Sequence, residues 1–425
     1  MRVRIRGARL VDPRRRQEEL ADLLIADGRI VGRGPAPDFH ADQTIEAEGL
    51  VVCPGLIDTF ARLREPGFEY RATLASELKA AVGGGITRVV TPPDTDPPLD
   101  EAGLVEMLRF RSEALGLARV HPVGALTLGL KGERLSEMAL LSEVGCVALG
   151  QADVSIADSL SLFRAFQYAA TFDLPVWLTA SDPWLAAAGC AHDGEVAARL
   201  GLPGIPTCTE TIALARLLEL ARATGVRLHV QHLSSAASLP LLAQAKASGL
   251  PVSASVSALH LACSEHDIGH FDTNAHVIPP LRSQVDRAAL AQAVAEGLID
   301  VIDSNHTPVD DDAKSVPFAE SEPGATGLEL LLPLTLAWAR ERGLDLAAAL
   351  APITERPARL LGLADAGHLG EGAVADLCLF DPQARWQVTP ESLASLGKNT
   401  PLLGKTVQGR VVATLVAGRP VFSRC

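Results

Sequence analysis

Three short stretches of this chain carry the residue types that could do chemistry at a strand end. The first runs Pro54-Gly55-Leu56-Ile57-Asp58-Thr59-Phe60-Ala61-Arg62-Leu63-Arg64-Glu65-Pro66-Gly67. The two-residue period of a strand puts Phe60 and Arg62 on one face. That face therefore presents an apolar ring and a fixed cation, and a guanidinium neither deprotonates in a protein nor offers a lone pair to a metal. The second stretch, His229-Val230-Gln231-His232, ends on a histidine with no second ligand nearby, which reads more readily as a packed residue than as a metal ligand. The third, Val301-Ile302-Asp303-Ser304-Asn305-His306-Thr307-Pro308, ends on an amide, and the Asn305 side chain neither accepts nor returns a proton near neutral pH. Ser304 with His306 is the nearest approach to a hydroxyl–imidazole pair, and no Ser-His-Asp or Cys-His grouping at the strand ends completes an activated nucleophile. His266 and His270 stand at helical i,i+4 spacing without an acidic or cysteine partner, and read as a surface or interface pair.

The elements that must position these residues follow from periodicity. Apolar runs at Gly55–Leu63, Ile86–Thr91, Val120–Thr127, Cys146–Gln151, Leu174–Thr179, Val226–Leu233, Leu250–Val256 and Leu298–Asn305 read as strands. Between them lie segments of helical period such as Thr211–Thr224 and Asp286–Glu296. Eight β-then-α units without a Gly-rich phosphate fingerprint predict a (β/α)8 TIM barrel over residues 54–364, with a doubly wound sheet as the alternative. In such a barrel the C-terminal strand ends form the mouth, which is where the three stretches fall. Residues 1–53 and 365–425 share a different texture. Val3–Ile5, Arg9–Val11, Leu23–Ile25 and Arg29–Val31 alternate with turns, as do Ala375–Phe380, Thr406–Ala417 and Pro420–Phe422. They predict one small β-sandwich-like domain assembled from both termini. The segment Thr307–Gly327, with Asp310-Asp311-Asp312, reads as a solvated acidic loop.

Composition narrows the function classes. A net charge of −13 argues against nucleic acid or an anionic membrane as partner. The most apolar stretch, Leu328–Ala339, contains Glu329 and Pro333 and falls short of the ~20 residues a membrane span needs. The basic N-terminus is not followed by an apolar run, so no signal peptide is expected. Seven scattered cysteines without a CxxC pair suggest reduced thiols and a cytoplasmic protein.

The motifs also carry a resemblance. Residues 54–67 resemble the dihydroorotase signature P-G-x-x-D-x-H-x-H-x-R-E-P-G, and the resemblance implies that Phe60 and Arg62 stand where that family has metal-binding histidines. Gly83-Gly84-Gly85-Ile86-Thr87 leading to Pro92-Pro93-Asp94-Thr95 is similar to the family's G-G-x-T and M-P-N-T, with Asp94 for the substrate-binding asparagine. Gln151 falls at the metal-bridging aspartate and Thr179 at a further histidine. Asn305 falls at the aspartate that binds metal and shuttles the proton. Pro279-Pro280-Leu281-Arg282 resembles N-P-P-L-R, with Ile278 for the asparagine. Of the six ligand positions mapped in this way (60, 62, 151, 179, 232 and 305), only His232 is retained. Related amidohydrolases use a carbamylated lysine, but none of the six lysines lies near that strand, and Asp153 is the one stray candidate ligand. Zinc is therefore expected to be absent. Opening a cyclic amide depends on a metal that lowers the pKa of water from ~15.7 to about 7, so no catalytic residue is expected. Arg64, Asp94 and Arg282 are expected as remnants of a substrate pocket, Arg64 being the family's contact to the substrate carboxylate. His306 is expected as a degenerate catalytic position.

Ala169–Leu174, Asp312–Lys314 and Phe318–Gly324 are further similar to the pseudo-dihydroorotases, non-catalytic relatives found with some bacterial aspartate transcarbamoylases. That resemblance implies a structural subunit, a homo-oligomer within a hetero-oligomer, that supports the aspartate transcarbamoylase catalytic subunit in pyrimidine synthesis. Two other functions remain open at this point: an active dihydroorotase or related cyclic amidohydrolase with a rebuilt site, and a stand-alone sensor of a pyrimidine intermediate.

Overall fold

The computed structural model describes residues 1–424, and Cys425 lies outside the described residues. Strands are numbered in chain order. β1 (Arg2–Asp12), β2 (Gln17–Ala26), β3 (Arg29–Arg33), β4 (Gln43–Glu46) and β5 (Val51–Pro54) precede the barrel. The barrel strands are β6 (Leu56–Asp58), β7 (Ile86–Thr91), β8 (Arg119–Ala125), β9 (Ala148–Gly150), β10 (Val176–Thr179), β13 (Leu228–Gln231), β14 (Val252–Ser257) and β15 (Val301–Asp303). A two-stranded parallel ribbon, β11 (Ala191–His192) and β12 (Gly204–Ile205), sits in the connection after β10. β16 (Leu377–Gln387), β17 (Thr406–Val416) and β18 (Arg419–Ser423) follow the barrel.

The eight barrel strands pair in parallel in the order β15-β14-β13-β10-β9-β8-β7-β6. The ring closes just beyond the strand ends, where Ala61 bridges His306 and the Arg62 amide donates to the His306 carbonyl at 2.9 Å. Every residue of β7 is buried, as expected for a parallel strand covered by side chains within and helices without. The fold is a (β/α)8 barrel with a sandwich-like terminal β domain.

That domain is one sheet, β18-β17-β16-β5-β1-β2-β3 with β4 against β1. It encloses a core contributed by both termini, including Ile5, Leu10, Ile25, Leu377, Leu379 and Leu415. β16 runs antiparallel to β5, pairing Leu377 with Pro54 immediately before the chain enters β6, so both termini meet at the barrel's entrance. The glycine run lets the chain pack closely on both barrel and sheet: a Cβ on Gly84 would lie 2.5 Å from the carbonyl oxygen of Leu328, in the barrel's last connection. Gly85 has φ +82°, and a Cβ there would lie 2.4 Å from Cys378 Sγ.

Three local expectations change. Val3–Ile5 and Arg9–Val11 are one strand, with a register irregularity between Ile5 and Ala8 where Gly7 takes a positive φ. His266 lies in a short 3-10 turn, Glu265–Ile268, and Gly269 ends it, so His266 and His270 do not share a helical face. The 307–327 segment is packed at both ends and at Phe318, while Asp311, Asp312 and most of 315–320 are exposed as expected of a solvated loop. Phe318 is buried and stacks on His276, with ring centroids 5.1 Å apart. Arg71 ties the segment down at both ends, 2.7 Å from Glu322 and 3.7 Å from Asp310.

Candidate functional site

Arg62 occupies the centre of the barrel mouth. Its side chain is only 7% exposed, and three of its nitrogens are engaged at once. Nε donates to Asp94 Oδ2 at 2.7 Å, one terminal nitrogen to Asp153 Oδ2 at 2.6 Å, and the other to Thr307 Oγ1 at 2.8 Å. Asp94 follows β7, Asp153 follows β9 and Thr307 follows β15, so one guanidinium pulls together the loops of three strands. Burial opposes the charge, but Asp153 and Asp94 outweigh it and hold the guanidinium above its ordinary pKa. Among the described residues Arg64, also buried, donates only to the Pro308 carbonyl, at 3.0 Å. Burial and then the neighbouring Arg62 pull its pKa down to about 10.

Beneath Arg62 the polar positions are sealed from the mouth. Arg62 lies over the Phe60 ring at 4.9 Å, and Phe60 packs edge-on against His232 at 4.4 Å. His232 is fully buried, with Nε2 3.3 Å from Asp303 Oδ1, yet neither ring nitrogen has a hydrogen-bond partner among the described residues. Burial pushes the Asp303 carboxyl up, and His232 beside it leads the contributions that bring it below the usual carboxylate range. Asp58 is pushed up to about 6 by burial and by the charge of Asp303, against hydrogen bonds from Ser304.

The remaining sequence-derived positions separate into those at the mouth and those withdrawn from it. A cavity of about 210 Å³ is lined by Arg62, Arg64, Asp94, Asp153 and Asn305 among others. Asn305 donates to the Ile278 carbonyl at 2.9 Å. Gln151 is buried and donates to Thr127 Oγ1 at 2.7 Å; among the described residues its amide oxygen has no partner, and neither has the Thr179 hydroxyl. Arg282, expected beside Arg64, does not line the cavity. It spends its donors on the Ile205 carbonyl at 2.7 Å, His192 at 3.1 Å and Ser234 Oγ at 3.1 Å, which pins the β11–β12 ribbon. His306 is likewise withdrawn: its Nε2 is 2.7 Å from Glu77 with both side chains fully buried, and its Nδ1 accepts from the Gly327 amide at 3.1 Å. Ser304 donates its hydroxyl to Asp58 rather than to His306, so the hydroxyl–imidazole pair does not form. Sequence reading missed Glu77 and Thr307 as partners and weighed Asp153 only as a stray ligand. The available signal was charge balance, since an arginine facing the barrel axis demands carboxylates on neighbouring strand ends.

Arg64, His232 and Asn305, in the segments that follow β6, β13 and β15, all take a positive φ, of 63°, 55° and 45°. Non-glycine residues held there carry local strain and concentrate at functional sites.

Comparison with known proteins agrees with this architecture. A family model described as "Dihydro-orotase-like" matches residues 49–238, and one described as "Amidohydrolase family" matches residues 331–422. A "Dihydroorotase-like protein" from Pseudomonas aeruginosa is 45% identical over 419 residues, covering 98% of this chain and 99% of that one. The chain belongs to the dihydroorotase-like family. A relative named "Dihydroorotase", from Geobacter metallireducens, is 38% identical over 427 residues, covering all of both chains. Among solved structures, the L-hydantoinase (dihydropyrimidinase) from Arthrobacter aurescens superposes with a TM-score of 0.89 at 26% identity, over 99% of this chain and 96% of that one.

Within the dihydroorotase-like family, the metal implied by the fold can be tested against the residues present. A divalent cation needs several lone-pair donors converging on one point. Among the described residues no group of three or more His, Cys, Asp or Glu side chains is placed to hold one. The two carboxylates nearest the mouth already clamp a guanidinium, and the one retained histidine lies under an aromatic ring. The donor set does not fit a metal.

Proposed function

We propose that this dihydroorotase-like chain is a catalytically silent homologue. In this reading it is a structural subunit, itself oligomeric, that assembles and supports the aspartate transcarbamoylase catalytic subunit in pyrimidine biosynthesis in the cytoplasm, without zinc. The observation that carries the silent reading is the Arg62 clamp. A buried, permanently charged side chain bound to Asp94 and Asp153 fills the place from which water would have to be activated. Asn305, where the resemblance puts the proton shuttle, is an amide, and His306 is locked to Glu77, so neither takes over acid–base chemistry. The scaffold role is supported by the resemblance of the 169–174, 312–314 and 318–324 segments to pseudo-dihydroorotases, and by a terminal domain and barrel that remain fully built.

The test has two arms. Purified protein is assayed for dihydroorotate turnover and for bound zinc, where stoichiometric metal together with turnover would overturn the silent reading. Co-expression with an aspartate transcarbamoylase catalytic subunit should give a stable complex on gel filtration, and separate elution of the two chains would overturn the scaffold reading.

A further inference from the structure

A second cavity, of about 420 Å³, adjoins the mouth cavity at Leu334, which lines both, and lies between the barrel helix Leu331–Glu341 and the hairpin of β16 and β17. Its apolar wall includes Leu334, Trp338, Leu402 and Val407, with Trp338 held in place by an indole hydrogen bond to the Ala291 carbonyl at 2.9 Å. Two arginines stand at its edge, Arg340 from the helix and Arg385 from β16. The other charges lining it are neutralised: Lys405 pairs with Asp267 at 2.7 Å, and Glu341 lies 3.5 Å from Arg287. Neither Arg340 nor Arg385 hydrogen-bonds or pairs with any carboxylate among the described residues, in a chain whose net charge is −13.

Arg340 has a partial structural reason to be there, because a cation in the last turn of a helix is favoured by the free carbonyls. Arg385 has none. It faces a like charge from an exposed strand position, and its repulsion adds to burial in holding Arg340 below its ordinary range. Two unneutralised guanidiniums beside an apolar wall suit a ligand that is doubly anionic at one end and apolar along its body. Phosphate matches the planar donor fork of arginine.

We propose that this cavity binds an organic phosphate with a flat apolar body, such as a nucleotide, its phosphates between Arg340 and Arg385 and its body against Leu334, Leu402 and Val407. The proposal is independent of whether the barrel mouth is silent.

The test is calorimetric titration of the purified full-length chain with ADP, with inorganic pyrophosphate as the probe for simple anion binding. ADP should bind saturably at one site per chain, at least about tenfold more tightly than pyrophosphate, since burying the base adds apolar area that pyrophosphate lacks. R340Q/R385Q, with unchanged circular dichroism, should weaken ADP binding at least about tenfold. R14Q/R359Q, at a separate surface cleft, should leave it unchanged. Absence of saturable ADP binding, equal affinity for pyrophosphate, or an R340Q/R385Q variant that binds like the parent would each overturn the proposal.

Discussion

Replacing Arg62 by methionine keeps much of the volume of its stem while removing one charge and three hydrogen bonds. At an effective dielectric of about 20, a charge pair ~4 Å apart is worth about 4 kcal/mol before desolvation is subtracted. Removing one partner of a fully buried pair costs about 3–5 kcal/mol, mostly because the other charge is left buried alone. Here Asp94 and Asp153 keep 25% and 28% of their side chains exposed, so water replaces part of what the guanidinium supplied. The expected loss for R62M is therefore about 2–4 kcal/mol. A neutralised background separates charge from packing. In D94N/D153N, adding R62M should cost about 2 kcal/mol less than it costs in the parent. The assay is urea unfolding followed in parallel by circular dichroism and tryptophan fluorescence, with coincident transitions and an unchanged m-value as conditions for comparing midpoints. A loss below about 0.5 kcal/mol in R62M, or strict additivity in the triple variant, would refute the claim that one guanidinium organises the mouth.

Other expectations can be checked alongside. F60H/R62H restores two imidazoles but leaves Gln151, Thr179 and Asn305, so dihydroorotate turnover should stay at background even with added zinc; measurable turnover would contradict the ligand count. Glu329, which accepts hydrogen bonds from the Ala394 and Ser395 amides, is pushed up to about 7 by burial. Its folded pKa is raised, so its contribution is fully present below the unfolded value near 4.5 and is lost as pH rises towards 7, about 3 kcal/mol at most. E329Q should flatten the stability profile between pH 4.5 and 7, and a profile parallel to the parent's would exclude Glu329 as its source. H232A should leave association with a transcarbamoylase catalytic subunit intact, because His232 lies beneath Phe60 inside the barrel; loss of the complex on gel filtration would give that histidine an assembly role.

Much of this protein was decided locally. Strand period and the alternation of strand with helix are written into neighbouring residues, so the eight barrel strands and the composite terminal sheet were legible in sequence. So was the placing of Phe60 and Arg62 on one face, because side-chain direction alternates residue by residue, while Gln151, Thr179 and Asn305 were placed by resemblance to the dihydroorotase motifs. Partnership was not legible. Arg62 meets Asp94, Asp153 and Thr307 across 32, 91 and 245 residues, and His306 meets Glu77 across 229. Those separations close only when the barrel does, and a charge's partner is set by distance in space, which periodicity does not encode. The same cause withdrew Arg282 towards Ile205 and His192. The chain's own letters determined which residues stand near strand ends, and barrel closure decided which of them line the mouth and which hold one another.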